Sequence, residues 1–155
     1  MGTFTISVGE KGKKEVLANL QHMTMALASD IKEAVVSSSE TVSHDAKGFC
    51  PVSDGRLRSS IRAAYYRNHL ASEVGTDVEY APYVEFGSRP HWAPIAPLRR
   101  WAEKHGISPF AVQLSIARKG TPAQPFLFPA FEVEREYFIE KVKAALIKNL
   151  KRGMK

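Results

Sequence analysis

The chain has 155 residues, the length of one ordinary domain, with one cysteine and a formal net charge of +6. A single cysteine excludes an intramolecular disulfide, no apolar run approaches the ~20 residues of a membrane-spanning helix, and the charge permits contact with nucleic acid without requiring it. The first residues lack the basic-then-apolar layout of a signal peptide, so we expect a soluble, intracellular protein.

The N-terminal third predicts a strand and then a long helix. Residues 3–8 alternate apolar and polar side chains, the period of a half-buried strand. From 13 to 49 apolar residues recur at steps of three and four, with Ser38 as the one lapse. These apolar residues are Val16, Leu20, Met23, Leu27, Ile31, Ala34 and Val42.

A single helix over this segment would be too long for its own domain. It would run ~50 Å at 1.5 Å per residue, whereas a compact domain of this size is ~30 Å across. The helix therefore either breaks near residues 37–39 or projects beyond its core. In the second case its apolar stripe needs another surface to cover it.

A tight turn and a β-hairpin follow the long helix. A proline and a glycine bracket the turn at 51–55, and Arg56, Arg58 and Arg62 come directly after it. The next residues alternate in the manner of two strands joined by a turn near Asn68.

The C-terminal half predicts helices. Residues 89–120 form a distinct region with one helix from about Pro94 or Ala96 to His105 and a second that begins after Ser108 and ends at Gly120. The last helix is predicted from about Ala130 to Leu150. Its predicted buried stripe is Phe131, Phe138, Val142, Ala145 and Leu146.

No constellation for catalysis emerges from these elements. The five histidines share no metal-ligand spacing, and Cys50 follows a helix C-terminus, where the helix dipole disfavours a thiolate. The turn lacks the glycine spacing and the Lys-Ser/Thr pair of a phosphate-binding loop. We therefore predict no catalytic residue, no metal site and no cofactor.

Two tryptophans, Trp92 and Trp101, flank a proline-rich piece that carries Arg99 and Arg100. Aromatic and arginine side chains together can stack on bases. They are also enriched at protein–protein hot spots. Packing of this region on its own core is a third interpretation.

Three motifs in order resemble a known family. They are PVSDGRLRSSI (51–61), VGTDVEYAPYVEFGS (74–88) and IARKGTPAQPFLFPAF (116–131), with a long helix before them and a helix after. This order is similar to that of the HK97 gp10-like family of tailed-phage and prophage proteins, described as neck, tail-completion or minor tail components. The resemblance runs from about residue 13 to 150.

The sequence departs from the family pattern at two places. Ser53-Asp54-Gly55 stands where Asp-Thr-Gly is usual, although an Asx turn through Asp54 or a serine turn through Ser53 remains available. Phe128 stands where the family often has arginine. If that position normally makes a charged contact, this chain lacks it.

The resemblance implies an α+β fold in one domain over 1–155: a small antiparallel sheet, a long N-terminal helix and a C-terminal helix, with a helical insertion at about 89–120. It implies a non-catalytic virion structural protein of the head–tail junction, present in the virion and, during assembly, in the host cytoplasm. Its partners would be itself, in a ring, and adjoining connector and tail proteins, with passing contact with DNA and none with membranes. The alternative is a nucleic-acid-binding module that uses the arginine-rich turn and the basic C-terminal tail.

A ring requires two different complementary patches on each subunit. The candidates are the over-long helix, the arginine-rich turn and the Trp/Pro region. The turn has three interpretations. Leu57 fills the core and the arginines are solvated; Arg56 and Arg58 bind carboxylates of a neighbouring subunit; or the two arginines bind phosphate. The predicted interface residues are Arg56, Arg58, Arg62, Tyr83, Phe86, Arg89, Trp92, Arg99, Trp101 and Phe128.

Overall fold

The computed structural model describes residues 10–66 and 70–153, and within them the predicted α+β fold is confirmed. The strand predicted at 3–8 and the hairpin turn predicted near Asn68 lie outside the described residues. The elements are α1 (Glu10–Phe49), α2 (Arg56–Ser60), β1 (Arg62–Tyr65), β2 (Ser72–Gly75), α3 (Ala81–Phe86), α4 (Ile95–Lys104), α5 (Pro109–Lys119) and α6 (Leu127–Gly153).

The first helix is continuous over 40 residues, so the predicted alternative of a break near 37–39 is wrong. Ser38 and Ser39 are buried rather than placed at a kink: the Ser39 hydroxyl contacts that of Ser72 in the hairpin, and Ser38 faces a neighbouring helix. That neighbour is α6, which packs antiparallel to α1: Asn149 lies beside Asp30, and Lys141 lies beside Ser38. The long pair of helices is the frame on which the other elements pack.

The hairpin and the core lie at the C-terminal half of α1. Strands β1 and β2 pair antiparallel, from Arg62 opposite Gly75 to Tyr65 opposite Ser72. The Tyr65 hydroxyl donates to Glu40 Oε1 at 3.2 Å, which ties the hairpin to α1. The buried core cluster consists of Val42, Ala46, Cys50, Leu57, Ile61, Val78, Ala81, Phe126 and Ala130.

The buried face of α6 differs from the predicted stripe. Phe131 and Leu146 are exposed, whereas Phe138 and Val142 are half-buried and Ala145 is buried. The side chains that face α1 are mostly small or polar: Ala130, Glu134, Lys141, Ala145 and Asn149. Lys141 and Asn149 form hydrogen bonds across the helix pair.

Residues 89–120 carry α4 and α5, which pack on each other. Ser88 and Thr121 form an isolated antiparallel bridge, in which each backbone N–H donates to the other's carbonyl oxygen, at 3.1 and 3.2 Å. The two ends of this region therefore lie side by side. Gly106 and Gly120 follow α4 and α5 with φ of +65° and +72°, as predicted from their places after each helix. Ser108 precedes α5 as predicted, although its side chain makes no capping hydrogen bond.

Candidate subunit interface

An open groove of about 970 Å³ lies on one side of the α1–α6 pair. Its walls come from the middle of α1, from β2 and the segment after it, from α3, and from the first three turns of α6. Val35 and Val42 line one side, Val74 lies on the hairpin, and Phe131 and Phe138 line the other side. The lining is mainly apolar, so the groove suits a hydrophobic partner surface.

Exposed aromatic rings stand at the edge of this groove. Phe86 at the end of α3 is 78% exposed, and Phe128 and Phe131 in α6 are also more than half exposed. Two of the predicted interface residues, Phe86 and Phe128, are thus brought to one surface although 42 positions separate them in the sequence. Three uncovered phenylalanines around one apolar groove are a feature of docking surfaces rather than of a finished monomer surface.

The groove is held in shape by a buried carboxylate. Glu85 is only 7% exposed, and its carboxylate accepts hydrogen bonds from the backbone N–H groups of Phe126, Leu127 and Phe128 at 2.8–3.0 Å. These N–H groups lie at the start of α6, where a helix has no internal acceptors of its own and where the helix dipole favours a negative charge. Glu85 therefore fixes α3 against α6. Sequence analysis missed this role; the only signal was one acidic residue in the aromatic run YVEFG.

A polar seam joins α1 and α6 behind the groove. Lys141 donates to Glu134 at 2.7 Å and to Ser38 at 3.0 Å, and Glu134 is nearly buried. A serine beside a lysine resembles a nucleophile with its base. Here the ammonium is paired with a carboxylate and has no lone pair to accept the serine proton, so the geometry indicates a structural cluster.

The N-terminal part of α1 extends beyond the other elements that the structure describes. Asn149 is level with Asp30, and α6 ends one turn later, so none of the other described helices lies beside α1 before about residue 26. All side chains from 13 to 22 are exposed. They include Val16, Leu17 and Leu20. We call residues 13–25 the projecting segment; at 1.5 Å per residue it is ~20 Å long.

In the arginine-rich turn, Leu57 fills the core and the side chains of Arg56 and Arg58 point to solvent. The backbone N–H of Arg56 donates to Asp54 Oδ1 at 3.1 Å, which is the Asx turn predicted from the Ser-Asp-Gly variant. Lys104 of α4 donates to the carbonyl oxygen of Ser53 at 2.6 Å and adds a further positive charge to the turn.

The other predicted interface residues are exposed but dispersed. Arg62 forms an ion pair with Asp77 of its own chain at 3.2 Å, so an intramolecular partner already satisfies it. Tyr83 lies on α3. Trp101 stacks on His105 with ring centroids 4.2 Å apart. The remaining three, Arg89, Trp92 and Arg99, lie exposed in the 89–120 region.

Cys50 and groups of metal-binding side chains are the two features of the described residues that bear on chemistry. Burial raises the pKa of the Cys50 thiol, more than nearby Arg58 lowers it, so little thiolate is present at neutral pH. Within 10–66 and 70–153, no three or more His, Cys, Asp or Glu side chains are grouped to hold a metal ion. None of the helices in those residues combines the length and the apolar run that a bilayer crossing requires.

The fold and its surfaces define a small α+β protein with exposed apolar surfaces. Residues 14–87 match the family described as "Bacteriophage HK97-gp10, putative tail-component". This match covers just under half of the 155 residues, and it confirms the resemblance to the HK97 gp10-like family that the order of the motifs predicts. Comparisons with curated proteins and with solved structures gave no match.

The matched segment ends just before the helical region 89–120. It contains the first motif and nearly all of the second, and it stops at Gly87, immediately before the Ser88–Thr121 bridge. The third motif, at 116–131, lies outside it. The match indicates a phage tail-related structural protein, and a tail component is a constituent of the virion.

Proposed function

We propose that this chain is a non-catalytic neck or tail-completion protein of the phage head–tail junction, which assembles into a ring with itself and with adjoining connector or tail proteins. The observation that supports this proposal is the presence of two different uncovered apolar surfaces on one chain of a phage tail-component family. One is the projecting segment of α1, and the other is the groove between α1, β2, α3 and α6.

Two unlike surfaces are what a ring needs. In a head-to-tail contact the first surface of one subunit meets the second surface of the next, and the series closes if the rotation between subunits is right. A two-fold dimer would instead need one self-complementary surface. The outer side of α6 adds further apolar side chains for adjoining proteins, with Leu146 and Leu150 exposed on it.

Location in the particle tests the proposal directly. A small peptide tag on the C-terminus of the chain is labelled in intact particles with a tag-directed gold conjugate and imaged by electron microscopy. We expect label at the junction between head and tail, on most tailed particles. Label spread over the capsid or along the tail shaft, or absent from purified particles, would refute the junction role.

A nucleic-acid-binding module is the second candidate, because Arg56, Arg58 and Lys104 are close together at one turn and Lys151 and Arg152 end α6. Such a module binds DNA with an affinity that falls steeply with salt, in proportion to the phosphates neutralised. Filter binding of duplex DNA from low to physiological salt distinguishes the two functions. Tight, strongly salt-dependent binding favours the module, and weak binding favours a protein that only passes near DNA.

A further inference from the structure

The structure shows two apolar surfaces that a single chain cannot bring together. The projecting segment and one wall of the groove belong to the same continuous helix, since Val35, Ser38 and Val42 of α1 line the groove. From Leu20 to Val35 the helix rises ~22 Å, and an unbroken helix cannot fold back on itself. Any α1 segment that fills the groove must therefore come from a second copy.

We propose that the groove of one copy receives the projecting segment of α1 from a second copy, in a head-to-tail contact. This inference rests on the proposed function and specifies how the ring contact is made. A helix that enters a groove presents apolar residues at spacings of three, four and seven. Val16, Leu20 and Met23 of α1 have these spacings, and Leu27 continues the same face.

The net charges of the two surfaces are opposite in sign but small. The groove lining carries four carboxylates, Asp77, Glu79, Glu85 and Glu134, and one guanidinium, Arg135. Arg62 already pairs with Asp77 and Lys141 with Glu134, so one negative charge remains in excess. The projecting segment carries Lys13 and Lys14 against one acidic residue, Glu15. A small negative excess in the groove meets a small positive excess on the segment, and it does not favour the phosphates of DNA, so the apolar side chains supply most of the contact.

Site-directed charges test the contact, because both surfaces are exposed in the monomer and their substitution leaves the core intact. Leu20→Asp alters the projecting segment, and Phe86→Asp alters the groove edge. Met25→Asp is the matched control: Met25 is 71% exposed on α1 and lies ~180° from the Val16–Leu20 face at 100° per residue. Phe110→Asp on α5 is the control for an exposed phenylalanine away from the groove.

Sedimentation velocity of the full chain over a concentration series gives the self-association constant. We expect Leu20→Asp and Phe86→Asp each to weaken it by at least ~10-fold, as loss of a central apolar anchor does. The two controls should match the wild-type chain. A 1:1 mixture of Leu20→Asp and Phe86→Asp keeps one intact segment and one intact groove, so it should form dimers and nothing larger.

A disulfide cross-link provides the second measurement. Leu20→Cys mixed with Phe131→Cys should form a cross-linked dimer under mild oxidation, and Met25→Cys mixed with Phe131→Cys should not; the native Cys50 is buried. The docking proposal is overturned by a monomeric wild-type chain without the cross-link, by a mixture that gives no dimer, or by variants that associate as the wild type does. None of these outcomes changes where the labelled protein sits in the particle, so the junction role is decided separately.

Discussion

Removal of the Glu85 carboxylate should loosen the start of α6 and destabilise the whole chain. In Glu85→Ala the buried N–H of Phe126 loses its acceptor, at a cost of ~1–3 kcal/mol. The N–H groups of Leu127 and Phe128 are only partly buried, and each should cost ~1 kcal/mol, the typical value of a lost helix cap. The expected loss of unfolding free energy is ~3–5 kcal/mol, a large part of the ~5–15 kcal/mol of an ordinary domain.

Urea unfolding followed by far-ultraviolet circular dichroism measures this loss, at concentrations where the chain is monomeric. Glu85→Gln keeps one acceptor oxygen but no charge, so its midpoint should fall between those of the wild type and Glu85→Ala. Glu132→Gln, an exposed glutamate of α6, is the control and should stay within ~0.5 kcal/mol of wild type. A Glu85→Ala chain as stable as this control would refute the argument that the carboxylate caps α6.

Three further outcomes are expected. Gly87→Ala should destabilise the chain more than Gly106→Ala. Both positions have positive φ, but of the two only Gly87 would place the new Cβ against backbone atoms, 2.5 Å from Thr121 O. Thermal unfolding of the two variants measures the difference. Hydrogen bonds from Lys148 and Asn149 lower the pKa of Asp30 below its usual 3.8. Its contribution to the free energy of unfolding is therefore present above pH 3.8 and is lost as the pH falls through the folded-state pKa. Asp30→Asn should flatten the acid side of a curve of stability against pH. Deletion of residues 89–120, with a short glycine linker in their place, should leave a folded chain by circular dichroism, because the Ser88–Thr121 bridge already joins the ends; a molten product would count against an inserted unit.

Local sequence patterns predicted most of the elements. The 3.6-residue period of α1, the alternation of β1 and the glycines that end α4 and α5 are properties of neighbouring residues, and each was found close to its predicted place. The start of α6 was predicted three residues late, at Ala130 instead of Leu127. Its cap is Glu85, a residue 42 positions upstream, and no local pattern contains that information.

The buried side of α6 could not be predicted for a different reason. The stripe was assigned on the premise that large apolar residues face the chain's own core. In α6 large apolar residues occur on more than one side, and Phe131 and Leu146 are exposed while Glu134 and Asn149 are buried against α1. A helix that packs on its own chain with one face and presents apolar residues on another has no single stripe. The groove could not be predicted from local sequence patterns either, because its lining comes from four separate elements, α1, β2, α3 and α6.

Polar side chains are buried between α1 and α6 while large apolar ones are exposed, and the buried polar contacts fix how the two helices align. Apolar contacts between two helices tolerate sliding, whereas the pairs Lys141–Ser38 and Asn149–Asp30 are satisfied in one register only. That register sets how far α1 extends beyond α6, and thus the distance from the groove to the projecting segment. In a head-to-tail ring this distance and the angle between the two surfaces repeat at every contact, so a slip of one turn would change the number of subunits that close it. The α1–α6 pair therefore fixes its register with polar contacts, while large apolar side chains of both helices, Phe131 and Leu20 among them, are exposed.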